Sequence, residues 1–245
     1  MNVTLSGLER AVNNSISKRK DKVYLSIYAD DFIITGASKE VLEQKVKPVV
    51  ERFLRERGLE LSQEKTKITH IDDGFDFLGT NIRKYKGKLI RKPSKKSIKS
   101  FLHTIRDTVK SNPTAKTESL IHLLNPKIQG WANFHRHVCA KKTFNYVDKS
   151  IFQAIWSWVK RRHPRKSVNW RKRKYFRRRK LRNWVFFART TEKNGAIKHV
   201  DLFEASSVPI KRHVKIRAEA TPFDPQFREY FEERERDRSK ILGAN

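Results

Sequence analysis

Hydrophobic spacing along this chain of 245 residues switches between the period of a strand and the period of a helix. The stretch "VYLSIYADDFIITG" (23–36) is an apolar run broken in its middle by two carboxylates. It predicts strands over Val23–Ile27 and Phe32–Thr35, joined through Ala29, Asp30 and Asp31. A short helical piece over Asn2–Ala11 and a loop at "SKRKDK" precede it. After it, Ser38 suits a helix N-cap, and Leu42, Val46, Val49, Phe53 and Leu54 recur at helical spacing until Gly58. Pro48 falls inside that helix and predicts a kink. Strands follow at Thr66–Ile71 and Phe75–Ile82, with a hairpin turn at Lys86-Gly87 and a return strand through Leu89 and Ile90.

From residue 92 the pattern is helical and amphipathic. Ser94 opens a helix carrying Ile98, Phe101, Leu102, Ile105 and Val109 on one face, stopped at Ser111-Asn112-Pro113. A short segment over Glu118–Leu124 meets "NP", where Asn125 suits an N-cap and Pro126 a first helical position. The helix so started carries Ile128, Trp131 and Phe134. A third helix, opened at Thr143, shows Phe144, Val147, Ile151, Ile155, Trp158 and Val159. Three such stripes bury against one another in a small bundle. Beyond it, "NWVFFART" and "AIKHVDLF" predict strands, Asn194-Gly195 a turn, and "FREYFEERERDRSK" a charged helix.

Charge changes the picture. The chain holds 56 Lys and Arg against 26 Asp and Glu, a net charge of +30, and a polyanion is the natural partner of so basic a surface. No apolar run approaches ~18 residues and no basic amphipathic helix stands alone, so a membrane is not an expected partner. The N-terminal sequence has no apolar signal core, which points to a cytoplasmic or organellar interior rather than secretion. A single cysteine, Cys139, excludes an internal disulfide framework. His135, His137 and Cys139 are a poor zinc set, because alternate helical positions point about 200° apart.

Two constellations carry chemistry. Asp30 and Asp31 at a hairpin tip present oxygen ligands of the kind hard divalent cations take; a bare Asp pair is also a common turn. The second is basic: Lys160 to Arg182 contains 14 Lys and Arg and no acid. Lys160, Arg161, Arg162, Arg165, Lys166, Arg171, Lys172, Arg173, Lys174, Arg177, Arg178, Arg179 and Lys180 are its candidate phosphate contacts. Trp170, Tyr175 and Phe176, interleaved among them, either stack on unpaired bases or pack locally. Lys95, Lys96 and Lys99 either track a nucleic-acid backbone or form a solvated face. Trp131 is a core candidate, and Gly130 beside it would permit close helix packing.

Tyr28-Ala29-Asp30-Asp31 resembles the catalytic palm hairpin of reverse transcriptases, specifically those of the group II intron-encoded reverse transcriptase/maturase family. "GLELSQEKTKITHI" (58–71) is similar to the segment after the palm helix, and "FDFLGTNI" (75–82) to the primer-grip strand region. "LLNPKIQGWANF" (123–134) resembles the signature of the maturase, or X, domain that forms the thumb. "MNVTLSGLERAV" is similar to the stretch after the family's template-contacting segment, and "SVPIKRHVKIRAEATPFDPQFREYFEER" to the linker before a cysteine-rich nuclease domain. The resemblance spans essentially the entire chain.

It implies an α+β fold: a partial palm of antiparallel sheet and helix over residues 1–91, a helical thumb/maturase bundle over 92–163, and a basic extension over 164–245. It implies metal ligation by Asp30 with Asp31 beside it, Tyr28 near a primer terminus, and Lys65 as either a backbone contact or a solvated lysine. The family's third catalytic aspartate and its fingers lie ahead of where this sequence starts. Polymerisation by the chain alone is therefore not expected, and Mg²⁺ is expected only where a complete site is assembled. With no cysteine after Cys139, the nuclease activity is not expected either. The implied partner is group II intron RNA, with a DNA target and a separate N-terminal reverse transcriptase fragment as further partners. The implied role is support of splicing or retrohoming by binding. Its alternatives are one part of a split RNA-directed DNA polymerase and a decayed remnant.

Overall fold

The computed structural model describes residues 3–62, 64–191, 195–211, 216–217 and 220–242. Asn2 and Asn194, assigned above to a helix start and a turn, lie outside them. The chain divides into two compact units, Met1–Ser97 and Ile98–Asn245.

In the first unit, helix α1 (Leu8–Ser15) and a single turn α2 (Lys18–Asp21) lead into a two-stranded antiparallel hairpin, β1 (Tyr24–Tyr28) and β2 (Asp31–Thr35). A π-helical stretch, Val41–Val46, runs into helix α3 (Lys47–Arg55). Pro48 sits in the first turn of α3, directly after the π stretch. The run from Val41 to Arg55 is continuous, and at the expected kink it changes from π to α winding just before Pro48, Lys47 N–H bonding back five residues to Leu42. Leu5, Leu8, Val12, Ile16, Val23, Val46, Val50, Phe53 and Leu54 form this core, with Leu25, Phe32 and Ile34 of the hairpin packed against it. Buried Asp21 anchors Lys45 at 2.8 Å.

The expected strand over Thr66–Ile71 does not form. Thr66 N–H donates back to Ser62 and the His70 carbonyl accepts from Asp73 and Gly74, both turn contacts, while the cross-chain bond to Ile71 from Lys84 is too little for a ladder. The expected strand Phe75–Ile82 is instead a hairpin: β3 (Phe75–Phe77) and β4 (Thr80–Tyr85) turn at Leu78 and Gly79, with φ of 47° and 71°. β5 (Lys88–Pro93) completes the sheet after the turn at Lys86-Gly87.

The second unit begins within α4 (Lys95–Lys110), capped by Ser94 Oγ accepting from Ser97 N–H at 3.0 Å. Helix α5 spans Thr117–His135 without interruption. Asn125 and Pro126 therefore do not start a helix: Leu120, Ile121, Leu124, Ile128, Ala132 and His135 make one buried stripe through the proline, whose lost hydrogen bond lies on an exposed face. Then come α6 (Lys141–Arg162), α7 (Val168–Tyr175), a sheet of β6 (Phe176–Arg179), β7 (Arg182–Thr191) and β8 (Ile197–Asp201) in that order, and a terminal helix α8 (Arg228–Leu242). No helix among the described residues is long and apolar enough to cross a membrane.

The fold is α+β, as expected, and residues on either side of 163/164 fall in the same compact unit. Tyr175, Phe176, Phe186, Ala188, Ala205 and Val208 share one core with the α4–α6 bundle, around fully buried Phe144, Ile155 and Trp158. The basic segment belongs to the bundle because every few residues it supplies an apolar side chain to that core.

Candidate nucleic-acid interface and acidic hairpin

Asp30 lies in the two-residue turn between β1 and β2, and Asp31 is the first residue of β2, paired with Tyr28. Ala29 takes φ of 54°, a left-handed conformation costly for a residue with a Cβ. Tyr28, Asp30 and Asp31 are all exposed, while the inner residues of the hairpin rest on the core beneath. The carboxylates are thus held outward on a supported strand end. Two adjacent carboxylates suit Mg²⁺, which is commonly held by one or two of them with waters and substrate phosphates filling the remaining positions. Among the described residues there is no group of three or more His, Cys, Asp and Glu placed to hold a metal.

Within the HRHVC stretch, His135 is buried and meets Trp131 and Phe134 edge-on, with centroids 4.7 and 4.8 Å away. Burial pushes its imidazole down to about 4. His137 Nδ1 lies 2.7 Å from the Lys211 carbonyl, and Cys139 is exposed.

The basic residues of the second unit divide by what they touch. Arg171 is buried: its Nε and Nη2 donate to the His163 carbonyl at 2.9 and 2.7 Å, and Nη2 to Pro164 at 2.9 Å. These carbonyls close the C-terminal end of α6, so Arg171 caps a helix and is not offered to a phosphate. Arg162 donates to Ala115 and lies over Trp158 at 4.8 Å. Arg177 forms a bidentate pair with Asp201 at 2.8 and 2.7 Å, which raises its guanidinium above the ordinary value. Arg179 reaches the same carboxylate at 3.2 Å but stays largely exposed.

Lys160, Arg161, Arg165, Lys166, Arg173, Lys174, Arg178 and Lys180 are exposed, and Lys172 is half-buried. A register shift between Arg177 and Arg179 marks a β-bulge that splays the strand carrying Arg178. Lys95, Lys96 and Lys99 are exposed along α4, and Lys65 is exposed in a turn, its N–H donating to the Ser62 carbonyl at 3.2 Å. His163, within 2.6 Å of the Tyr175 hydroxyl, is held below its ordinary value by burial and then by Lys174, Arg162, Arg171 and Lys166.

The aromatic alternatives separate too. Tyr175 and Phe176 pack into the core, while Trp170 is half-buried with Lys166 and Lys174 over its ring at 5.4 and 4.8 Å. Trp131 stacks on Phe101 at 4.7 Å and packs against the core. Gly130 does not permit close packing: it is exposed, and a Cβ there would meet nothing within 4 Å.

Three further aromatic residues meet on the surface of the second unit. Phe152 and Trp156 of α6 stand one turn apart beside the buried stripe, and Trp184 of β7 lies 39% exposed against both. Their only signal is the i, i+4 spacing of two large rings at positions the stripe does not need.

A family model described as "Reverse transcriptase (RNA-dependent DNA polymerase)" matches residues 1–82. One described as "Group II intron, maturase-specific domain" matches residues 98–176. Protein YkfC of Escherichia coli (strain K12) is 35% identical over 98 residues, which are 38% of this chain and 23% of that protein. The matched stretch is thus less than a quarter of that relative's length.

Proposed function

From a chain that joins a reverse transcriptase domain to a group II intron maturase-specific domain, we propose a module that binds group II intron RNA through the basic face of its second unit. It supports splicing by stabilising the folded RNA. The contribution of the protein is binding energy, and the bond-making belongs to the RNA. One observation carries this reading: between Lys149 and Thr191 the sequence holds 16 Lys and Arg and no Asp or Glu, on helices and strands fixed to a single core. Charges on such a scaffold meet phosphates at defined positions, whereas a disordered basic tail would have to order on binding.

The test is filter binding of the chain to group II intron RNA across a salt series, with Arg173, Lys174, Arg178 and Lys180 replaced together by Gln. Affinity should fall steeply with salt, and the variant should bind more weakly with a shallower slope. Binding indifferent to both salt and the four substitutions would overturn the reading.

The Asp30–Asp31 hairpin favours a second reading, a contribution to RNA-directed DNA polymerisation. Reverse transcriptases use Mg²⁺, and Asp30 and Asp31 would hold it here, where it would offset charge developing on phosphoryl oxygens. The resemblance implies a third catalytic aspartate beside these two, so this reading calls for a further carboxylate from another segment. Primer extension that needs such a segment and disappears with Asp30→Ala would support it. Extension unaffected by Asp30→Ala would remove it.

A further inference from the structure

Phe152, Trp156 and Trp184 wall a shallow, open apolar cleft of about 560 Å³ on the surface of the second unit. Phe152 and Trp156 are nearly parallel, 6° apart with centroids separated by 6.4 Å. Trp184 stands at 89° and 85° to them, with centroids 6.0 and 5.7 Å away. Buried Phe176 touches all three rings, with centroids 5.5 to 5.8 Å away, and backs them from the core. Because Phe176 is fixed in the core, the walls are preformed.

The rim is cationic. Lys172 Nζ lies 4.6 Å from the Trp184 centroid. Exposed Lys149 and Lys160 fall one helical turn before Phe152 and one after Trp156. Asp148, the nearest acid on α6, is engaged by backbone: its two oxygens accept from Ala205 N–H at 2.8 Å and Ser206 N–H at 2.9 Å. An apolar, π-faced cleft built from a segment that holds no acid between Lys149 and Thr191, with the neighbouring acids Asp201 and Glu204 already paired to Arg177, Arg179 and Arg182, matches one chemistry well. The occupant must offer a flat aromatic face and carry negative charge on either side of it. An apolar side chain of a protein partner answers the first demand only.

We propose that this cleft seats an unstacked nucleobase of single-stranded RNA, with Lys149, Lys160 and Lys172 meeting the flanking phosphates. The inference rests on the RNA-binding reading above and adds a base-contacting site to it. The base stacks on an indole face, and the contact is tolerant of sequence because every base has a π face.

The experiment uses the full chain, a short oligouridylate, and the same ribose-phosphate backbone made abasic. Trp184→Ala and Trp156→Ala should each weaken oligouridylate binding by about tenfold and leave abasic binding and its salt slope unchanged. Trp184→Phe should restore most of the loss. Unchanged oligouridylate binding in both alanine variants, with salt-sensitive binding intact, would overturn the nucleobase site and spare the RNA-binding reading. Equal losses on both oligomers would mark the rings as scaffold and also overturn it. Wild-type chain binding neither oligomer while still binding group II intron RNA would overturn the nucleobase site alone, and failure to bind the intron RNA as well would remove both readings. Self-association lost with Trp184→Ala, base binding being unaffected, would assign the cleft to a second copy of the chain.

Discussion

Asn125 Oδ1 accepts a hydrogen bond from the Phe203 backbone N–H at 2.7 Å, and its Nδ2 donates to the Asp201 carbonyl at 3.0 Å. A side chain in the middle of α5 thus clamps the segment leaving β8, beside the carboxylate that pairs with Arg177 and Arg179. Asn125→Leu removes both bonds from a half-buried site and leaves backbone groups to find water. It should destabilise the second unit by about 1–3 kcal/mol. All five tryptophans lie in that unit, so urea unfolding followed by indole fluorescence reads the loss directly.

Asn125 also shows where sequence stops being legible. "NP" carries a strong local preference for a helix start, yet the apolar stripe on both sides of Pro126 outweighs it through tertiary burial. The long helices α4 and α6 were legible because their stripes are continuous. The split of Phe75–Ile82 into two strands was not, because the turn residues Leu78 and Gly79 sit inside an apolar run. Asp30 and Asp31 were legible because two charges interrupt a strand pattern. Arg171 was not: nothing in a run of identical charges separates the one that turns inward from those that face water.

Arg171 and Arg173 should therefore behave oppositely. Arg171→Ala strips three carbonyl contacts from the end of α6 and should cost about 2–4 kcal/mol of stability. Arg173, exposed on α7, should change stability by less than about 0.5 kcal/mol when replaced by Ala. It should instead reduce the salt slope of RNA binding by about 0.7–0.9 if it meets one phosphate. Paired unfolding and salt-titration curves on the two variants check both halves.

The acidic hairpin makes a prediction separate from polymerase activity. Mn²⁺, standing in for Mg²⁺, should broaden the backbone amide resonances of Tyr28 to Phe32 before those of other exposed carboxylates. Asp30→Asn with Asp31→Asn should abolish that broadening. Both side chains are exposed, so the double variant should keep its stability within about 0.5 kcal/mol. Uniform broadening over all acidic surface positions would deny the hairpin any preference for the ion.

His135 predicts the sign of a pH effect. Its folded-state value is depressed to about 4, against an ordinary 6.5, because burial disfavours the imidazolium. Above pH 6.5 the ring is neutral in both states and contributes no dependence. Between 6.5 and about 4 only the unfolded chain takes the proton, so stability falls as pH falls, by at most about 1.4 kcal/mol per unit. Below that window both states are protonated and the contribution levels off. His163 is shifted in the same direction, so His135→Leu should shrink the slope rather than erase it. Tryptophan-detected urea midpoints at pH 7.5, 6 and 5 should separate the two proteins progressively, with the wild type losing more stability at each step toward acid.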